Sequence, residues 1–270
     1  MQDLTPRETP REAVAAGSFY PGHRDELAAT VDRLLAAAVP ARLDGDLRAL
    51  VVPHAGCVYS GTVAAAAFAA LRPQGEDVRV ALFGPSHFVP LRDVAVSGAD
   101  AWLTPLGSVR IDDELRATAV DAGAVVDDRP HRGDHALEVE LPFLQRLTRD
   151  RVRVLPVAVG DAGTGTRVVA AVSATALVVV STDLSHYLDD ETARQVDRRT
   201  AEAVVALDDG AIGDRDACGA DALRALLRHA RSAAWTCTLV DLRTSADASG
   251  DRRRVVGYGA FAFTAGSPII

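Results

Sequence analysis

Short apolar runs that end at Pro or Gly recur along the chain and set its predicted architecture. Three of them lead into a histidine: L-V-V-P-H-A-G from Leu50, V-A-L-F-G-P-S-H-F from Val80, and A-L-V-V-V-S-T-D-L-S-H from Ala176. Runs of this length, bounded by turn residues, are typical of buried strands. Because open α/β sheets bind ligands beyond the carboxyl ends of their strands, we expect the three histidines at one edge of one sheet.

Segments with an apolar residue every three or four positions separate these runs and predict helices. The first helix is expected to begin with Asp25 as its cap and to continue to about Ala38. Further helices are predicted at 61–71, 135–147 and 191–207, and two closing strands at 233–242 and 255–264. The alternation of strand and helix indicates an α/β fold whose mainly parallel or mixed central sheet is covered by helices on both faces.

The chain shows no sign of an internal boundary. Its 270 residues contain no linker-like Ser/Gly run and no repeat of fixed period. The polar residues 1–12 are predicted to form a flexible N-terminal tail, and residues 13–270 a single α/β domain.

Net charge, hydrophobicity and cysteine content limit the partners and the cellular compartment that we expect. The net charge is −8, and the arginines are scattered or clustered only at Arg252–Arg254, so we expect no nucleic acid partner. No apolar stretch reaches the roughly 18 residues of a membrane span, and the polar N-terminus is unlike a signal peptide. Three cysteines, odd in number and without a pattern, indicate a reducing compartment. We therefore expect a cytoplasmic protein that contacts no membrane.

The residues at the strand ends leave two interpretations open. His54 and His87 are either ligands of one metal ion or structural histidines beside a pocket, since neutral imidazole suits Fe, Cu and Zn alike. Asp183 and His186 follow the third strand and are either ligands or general acid–base groups, or else a helix cap and a surface histidine. His135 and Glu138 either contact the pocket or merely begin a helix.

Seven ordered blocks, which together span about residues 12–264, resemble the Memo family. They are A-V-A-A-G-S-F-Y-P-G, V-V-P-H-A-G-C-V-Y-S-G, L-F-G-P-S-H-F, D-H-A-L-E-V-E-L-P-F-L, S-T-D-L-S-H-Y, C-G-A-D-A-L and T-S-A-D-A-S-G-D-R-R-R-V-V-G-Y-G-A. The family is similar in fold to the class III (LigB-like) extradiol dioxygenases, which hold non-haem iron. The resemblance implies a three-layer αβα sandwich. It also implies an association with the other AmmeMemoRadiSam system proteins, one of which is a radical SAM protein.

The resemblance assigns roles to particular residues. It implies metal ligands at His54 and His87, which His186 would complete as a three-histidine set. It places Asp183, His186 and His135 as catalytic groups. Pocket residues are expected at Tyr59, Ser60, Glu138, Tyr187 and Asp247. The chain departs from the animal members at Ala248, which stands where they carry a cysteine ligand; Asp183 and Asp247 are further candidates to complete the site.

These expectations converge on a divalent metal and leave the reaction open. Iron is the first candidate, with zinc or copper as alternatives, and an oxidoreductase of unknown substrate is the corresponding activity. One alternative is an adaptor that binds a peptide or phosphorylated ligand in the same pocket without catalysis. A second alternative is a zinc-assisted hydrolase. No sequence feature identifies a substrate, which is expected because fold alone is a poor guide to chemistry.

Overall fold

The computed structural model describes residues 10–71 and 77–266. Most of the predicted tail, residues 1–9, therefore lies outside the described residues. Arg11, the second described residue, is anchored rather than free, because it forms a bridge with Trp102. Among the described residues, no helix combines the length and hydrophobicity needed to cross a membrane.

The described residues contain eleven strands and eight α-helices. The strands are β1 (Asp46–Val52), β2 (Val78–Gly84), β3 (Val94–Val96), β4 (Ala101–Thr104), β5 (Gly107–Ile111), β6 (Val125–Val126), β7 (Val152–Val159), β8 (Leu177–Ser181), β9 (His186–Leu188), β10 (Thr236–Thr244) and β11 (Val255–Ala265). The helices are α1 (Arg24–Ala37), α2 (Cys57–Phe68), α3 (Asp113–Asp121), α4 (Leu141–Thr148), α5 (Ala162–Val172), α6 (Asp190–Val205), α7 (Ala220–Ser232) and α8 (Ala246–Ser249).

The central sheet is mixed, with four parallel strands at its middle. The strand order is β10-β11-β1-β8-β2-β7-β3-β6, and β1, β8, β2 and β7 run parallel to one another. Strands β3 and β11 flank them in the antiparallel direction. Val52 pairs with Ser181, so β1 and β8 end side by side. The loops after β1, β8 and β2 therefore leave the same edge of the sheet, as expected for parallel strands.

Helices cover both faces of the sheet, which gives the three-layer sandwich. Ala49 and Val51 of β1 pack into the cluster formed with α3, α5, α6 and α7. Leu50 and Val52 of the same strand pack into the opposite cluster, with α1, α2 and α4. Side chains alternate between the faces of a strand, so a strand buried on both faces needs an uninterrupted apolar run. This requirement explains the L-V-V and A-L-V-V-V runs.

Several predicted elements differ in detail from the observed ones. The first helix begins at Arg24, and His23 occupies the N-cap position without a side-chain hydrogen bond, so the predicted cap at Asp25 was wrong. The predicted helix at 135–147 is a 3-10 turn at Glu138–Glu140 followed by α4. His186 begins the short strand β9, which pairs with β11 through Val256. His186 therefore follows the third strand as the first residue of another strand, and not in a helix.

Candidate metal centre at the strand ends

Three imidazoles meet at the carboxyl edge of the sheet. One ligand atom from each of His54, His87 and His135 lies within 4.8 Å of the other two. The ring centroids of His87 and His135 are 5.0 Å apart and nearly parallel, and the ring of His54 is edge-on to both. His54 is buried, His135 half-buried and His87 exposed. The group thus has one open side.

His54 is held in place by the end of β8, by the loop that follows it and by Cys218 before α7. Its backbone N–H donates to Oδ1 of Asp183 at 2.9 Å, and its ring Nδ1 lies 2.9 Å from Oγ of Ser181. Its Nε2 lies 3.3 Å from Sγ of Cys218. Burial raises the pKa of the Cys218 thiol to about 12, so the sulfur carries its proton at neutral pH. Because Nδ1 is committed to Ser181, Nε2 is the nitrogen left for a ligand.

His87 is held by a single carboxylate. Its backbone N–H donates to Oδ2 of Asp134 at 2.6 Å, and its Nδ1 lies 3.1 Å from Oδ1 of the same residue. Burial pushes the pKa of Asp134 upward, but hydrogen bonds from His87 and Ala136 outweigh it and hold the pKa at about 2. Asp134 is therefore ionised at neutral pH. A carboxylate behind Nδ1 turns Nε2 outward, as it does in many metal-bound histidines.

His135 is fixed by stacking. Its ring lies 3.9 Å, between centroids, from that of Phe19 in the segment before α1, at an interplanar angle of 22°. Burial and the neighbouring His87 lower the pKa of His135 to about 4. Burial, and then the rings of His87 and His135, lower the pKa of His54 well below its usual value. His54 and His135 are therefore neutral at pH 7, which is the state that binds metal.

His186 lies outside the three-histidine group. Its Nδ1 contacts the carbonyl oxygen of Leu184 at 2.7 Å, and its backbone pairs with Val256 of β11. Burial lowers its pKa, and the nearby His87 contributes to this shift, so His186 lies close to the group without belonging to it. The predicted convergence of His54, His87 and His186 thus differs from the observed group, in which His135 takes the third place.

Asp183 is buried beside His54. Its carboxylate accepts the backbone N–H groups of His54 and Ala55, and its own backbone N–H lies 3.2 Å from the sulfur of Cys218. Burial raises the pKa of Asp183 to about 7 against the opposing effect of these hydrogen bonds. The side chain therefore fixes the loop after β1.

Two of the predicted pocket residues are buried in the framework. Glu138 is fully buried and accepts hydrogen bonds from Arg11, from the backbone of Val14 and Ala15, and from the hydroxyl of Tyr20. It therefore anchors the segment that carries Phe19. Ser60 is 1% exposed and donates to the carbonyl oxygen of Ala55. Ser60 thus ties the start of α2 to the loop of His54.

The other predicted pocket residues lie at the surface. Tyr59 is 46% and Tyr187 63% exposed, and Tyr187 lies under the guanidinium of Arg254. Asp247 is engaged elsewhere: its carboxylate pairs with Arg194 at 2.8 Å and caps the backbone of Thr244 at 2.9 Å. Ala248 is exposed on α8, and no described contact joins it to the three histidines.

Four residues of the site were not identified from the sequence: Asp134, Glu140, Ser181 and Cys218. Asp134 directly precedes His135 but was not singled out from the sequence. Cys218 lies 164 positions from His54, and only the fold brings the two together. Ser181 is the last residue of its strand. Its polar side chain at the end of an apolar run was the one local signal for it.

The fold and the histidine group together define an α/β sandwich with a candidate metal centre at its strand ends. A family model described as Memo-like protein matches residues 11–262. MEMO1 family proteins of Methanopyrus kandleri and Archaeoglobus fulgidus are 34% and 33% identical over 95% and 94% of this chain, and in both 99% of the relative is covered. One from Methanococcoides burtonii is 36% identical over 93% of the chain and 98% of the relative. The chain belongs to the Memo family, as its sequence blocks predicted.

Proposed function

We propose that this protein binds one divalent transition metal ion through His54, His87 and His135. The observation that carries the proposal is the convergence of their ligand atoms within 4.8 Å. Imidazole nitrogens bind such ions at about 2.0–2.1 Å, so two ligands of one ion lie roughly 3 to 4 Å apart. The observed group needs only small side-chain shifts to reach that geometry.

The surroundings of the three rings fit this role. His54 and His135 are neutral at pH 7 because burial lowers their pKa. The Nδ1 atoms of His54 and His87 are occupied by Ser181 and Asp134, so the ion would use both Nε2 atoms, and at His54 it would displace the contact with the thiol of Cys218. Three protein ligands on one side leave positions for a substrate on the exposed side.

Iron(II) is our first assignment for the ion, and oxidoreductase chemistry is the corresponding reaction class. Three imidazoles also suit zinc or copper, so the donor set does not decide the metal. Such an ion, when bound, would supply redox or Lewis-acid chemistry at its open positions. We assign proton transfer to Asp183, because its pKa of about 7 lets the carboxyl group both give and take a proton at neutral pH. His186, which is half-buried and close to His87, is our second candidate for proton transfer.

The metal content of protein purified without added metal tests this proposal. We expect about one transition metal ion per chain, and iron in protein produced and handled without oxygen. Oxygen consumption by the iron-loaded protein separates an oxidoreductase from a zinc-assisted hydrolase. A chain that takes up none of iron, zinc or copper would reject the metal centre. It would favour the alternative of a pocket that binds a peptide or phosphorylated ligand.

The matched control is a histidine outside the group. His54→Ala removes a buried ring of the group, whereas His23→Ala alters an exposed histidine before α1. We expect the metal content to fall in the first variant and to stay unchanged in the second. Equal loss in both would mean that the metal binds elsewhere.

A further inference from the structure

A buried row of polar side chains lies behind His54. Oε1 of Glu140 lies 2.9 Å from Oγ of Ser181, and the same oxygen of Ser181 lies 2.9 Å from Nδ1 of His54. Glu140 and Ser181 are 0% exposed and His54 is 1% exposed. Such a row has few hydrogen atoms to distribute, so its hydrogen-bond directions can be derived.

The carbonyl oxygen of Ala136 fixes the direction of every bond in the row. It lies 2.7 Å from Oγ of Ser181, and a carbonyl oxygen can only accept. The single hydroxyl proton of Ser181 therefore points to Ala136. A hydroxyl oxygen has two further acceptor positions, so the contacts from Glu140 and from His54 must both be donated to it.

We infer that Glu140 is a neutral carboxylic acid that donates its proton to Ser181, and that the two act as positioning residues for His54. Ser181 then accepts from Nδ1–H of His54, and the lone pair of Nε2 is turned toward the site. The inference rests on the proposed metal centre in one respect, because it explains how His54 is oriented as a ligand. The hydrogen-bond directions themselves do not depend on a metal ion. The family resemblance assigns no role to Glu140.

Three further observations agree with a neutral Glu140. Its Oε2 is buried and has no hydrogen-bond partner among the described residues, which is far less costly for a carbonyl oxygen than for a carboxylate. Burial raises the pKa of Glu140 well above its usual value and outweighs the opposing effect of the hydrogen bond with Ser181. An ionised Glu140 would draw the proton of Ser181 to itself. The lone pairs of Ser181 and Ala136 would then face each other at 2.7 Å.

The contacts at Nε2 of His54 favour the same tautomer. Nε2 of His54 lies 3.3 Å from Sγ of Cys218, whose thiol can donate to a lone pair there. A proton on Nε2 would instead compete with the backbone N–H of Asp183, which already points at the same sulfur at 3.2 Å. Both neighbours of His54 thus favour the tautomer with its proton on Nδ1.

The first test is spectroscopic and uses metal-free protein. The infrared difference spectrum between the unaltered protein and Glu140→Gln should contain the carbonyl band of one protonated carboxylic acid at pH 7.5. The matched control is Glu202→Gln, which alters an exposed carboxylate on α6 and should show no such band. Absence of the band from the Glu140 difference spectrum would overturn the inference.

The second test follows the tautomer and its consequence. Nitrogen-15 NMR of the metal-free unaltered protein should place the His54 proton on Nδ1. Glu140→Gln keeps an N–H donor toward Ser181, so it should preserve both this tautomer and the iron(II) affinity. Ser181→Ala removes the acceptor, and the affinity should fall by roughly 10- to 100-fold, as for other partners behind metal-bound histidines. Circular dichroism checks that each variant is folded.

The outcomes separate this inference from the metal centre. If the unaltered protein binds no metal but shows the acid band and the Nδ1 proton, the metal centre fails and the inference holds. If it binds metal but carries the His54 proton on Nε2, the inference fails and the centre holds. If Glu140→Gln loses affinity as severely as Ser181→Ala, Glu140 is an ionised acceptor and the inference is wrong.

Discussion

Asp134 contacts His87 through both of its carboxylate oxygens. Oδ2 accepts the backbone N–H of His87 at 2.6 Å, and Oδ1 lies 3.1 Å from Nδ1 of its ring. The same carboxylate also accepts the backbone N–H of Ala136 at 2.9 Å, so it joins the loop of His87 to the loop that carries His135. One side chain therefore sets the spacing of two of the three imidazoles.

Replacing this carboxylate by an amide should weaken metal binding. Asp134→Asn keeps the size of the side chain but lacks the charge, and it cannot accept from all three donors. We expect iron(II) affinity to fall by roughly 10- to 100-fold, the usual effect of losing such a partner. Calorimetric titration measures it. Asp127→Asn is the control, because that residue lies on the same loop but pairs with Arg129, and its affinity should be unchanged.

The stack of Phe19 on His135 gives a second prediction. Phe19→Leu keeps an apolar side chain but removes the aromatic face, and such ring pairs contribute about 0.5–1.5 kcal/mol beyond the buried area. Without the stack the imidazole of His135 is held less firmly, so iron(II) affinity should fall by up to about tenfold, the equivalent of 1.4 kcal/mol. Phe19→Tyr retains the ring and should restore the affinity. Equal affinities in all three proteins would show that stacking does not position His135.

The buried pair of Arg11 and Glu138 predicts a large effect on stability. The two side chains are 7% and 0% exposed and are 2.6 Å apart. Arg11→Met leaves the carboxylate of Glu138 buried without its cation, which typically costs about 3–5 kcal/mol. Urea unfolding of metal-free protein measures the loss. Arg253→Met, which breaks a surface pair with Asp251, should change the stability little.

Protonation of His131 is predicted to cause part of the loss of folding stability at low pH. Burial lowers its pKa to about 4 in the folded protein, and its Nε2 contacts the carbonyl oxygen of Ala95. Above the unfolded pKa of 6.5 the ring is neutral in both states, so its contribution to the free energy of unfolding does not change with pH. As the pH falls from 6.5 toward 4, the unfolded chain takes up the proton first, and stability decreases by about 3 kcal/mol.

Urea unfolding between pH 7.5 and 4 checks this effect. His131→Gln keeps a donor for Ala95 and does not titrate, so its stability should fall less over this range than that of the unaltered protein, by up to about 3 kcal/mol. Other buried histidines contribute equally to both curves, so the difference between the curves isolates His131. Parallel curves would contradict the assignment.

The sequence predicted the layers of the fold because strands buried on both faces need unbroken apolar runs, as in Val178–Val180. It also placed His54 and His87 at one edge, since both follow parallel strands. It did not identify the third member of the group. His135 lies after a polar loop rather than a strand, and its place depends on the stack with Phe19 and on Asp134.

The row of Glu140 and Ser181 behind His54 could not be predicted from the sequence, for a different reason. Glu140 and Ser181 are 41 positions apart and meet only because β8 ends beside the turn before α4. A glutamate in an apolar helical pattern gives no local sign that it is buried and neutral. Its partner is defined only when the chain is folded.

Titration of iron(II) into metal-free protein without oxygen tests the central claim most directly. The unaltered protein, His186→Ala and His23→Ala should each bind about one ion, because the three-histidine group forms without those two side chains. His54→Ala, His87→Ala and His135→Ala should each lose this binding. Full binding by His135→Ala together with loss in His186→Ala would contradict the observed group and restore the set first predicted from the sequence.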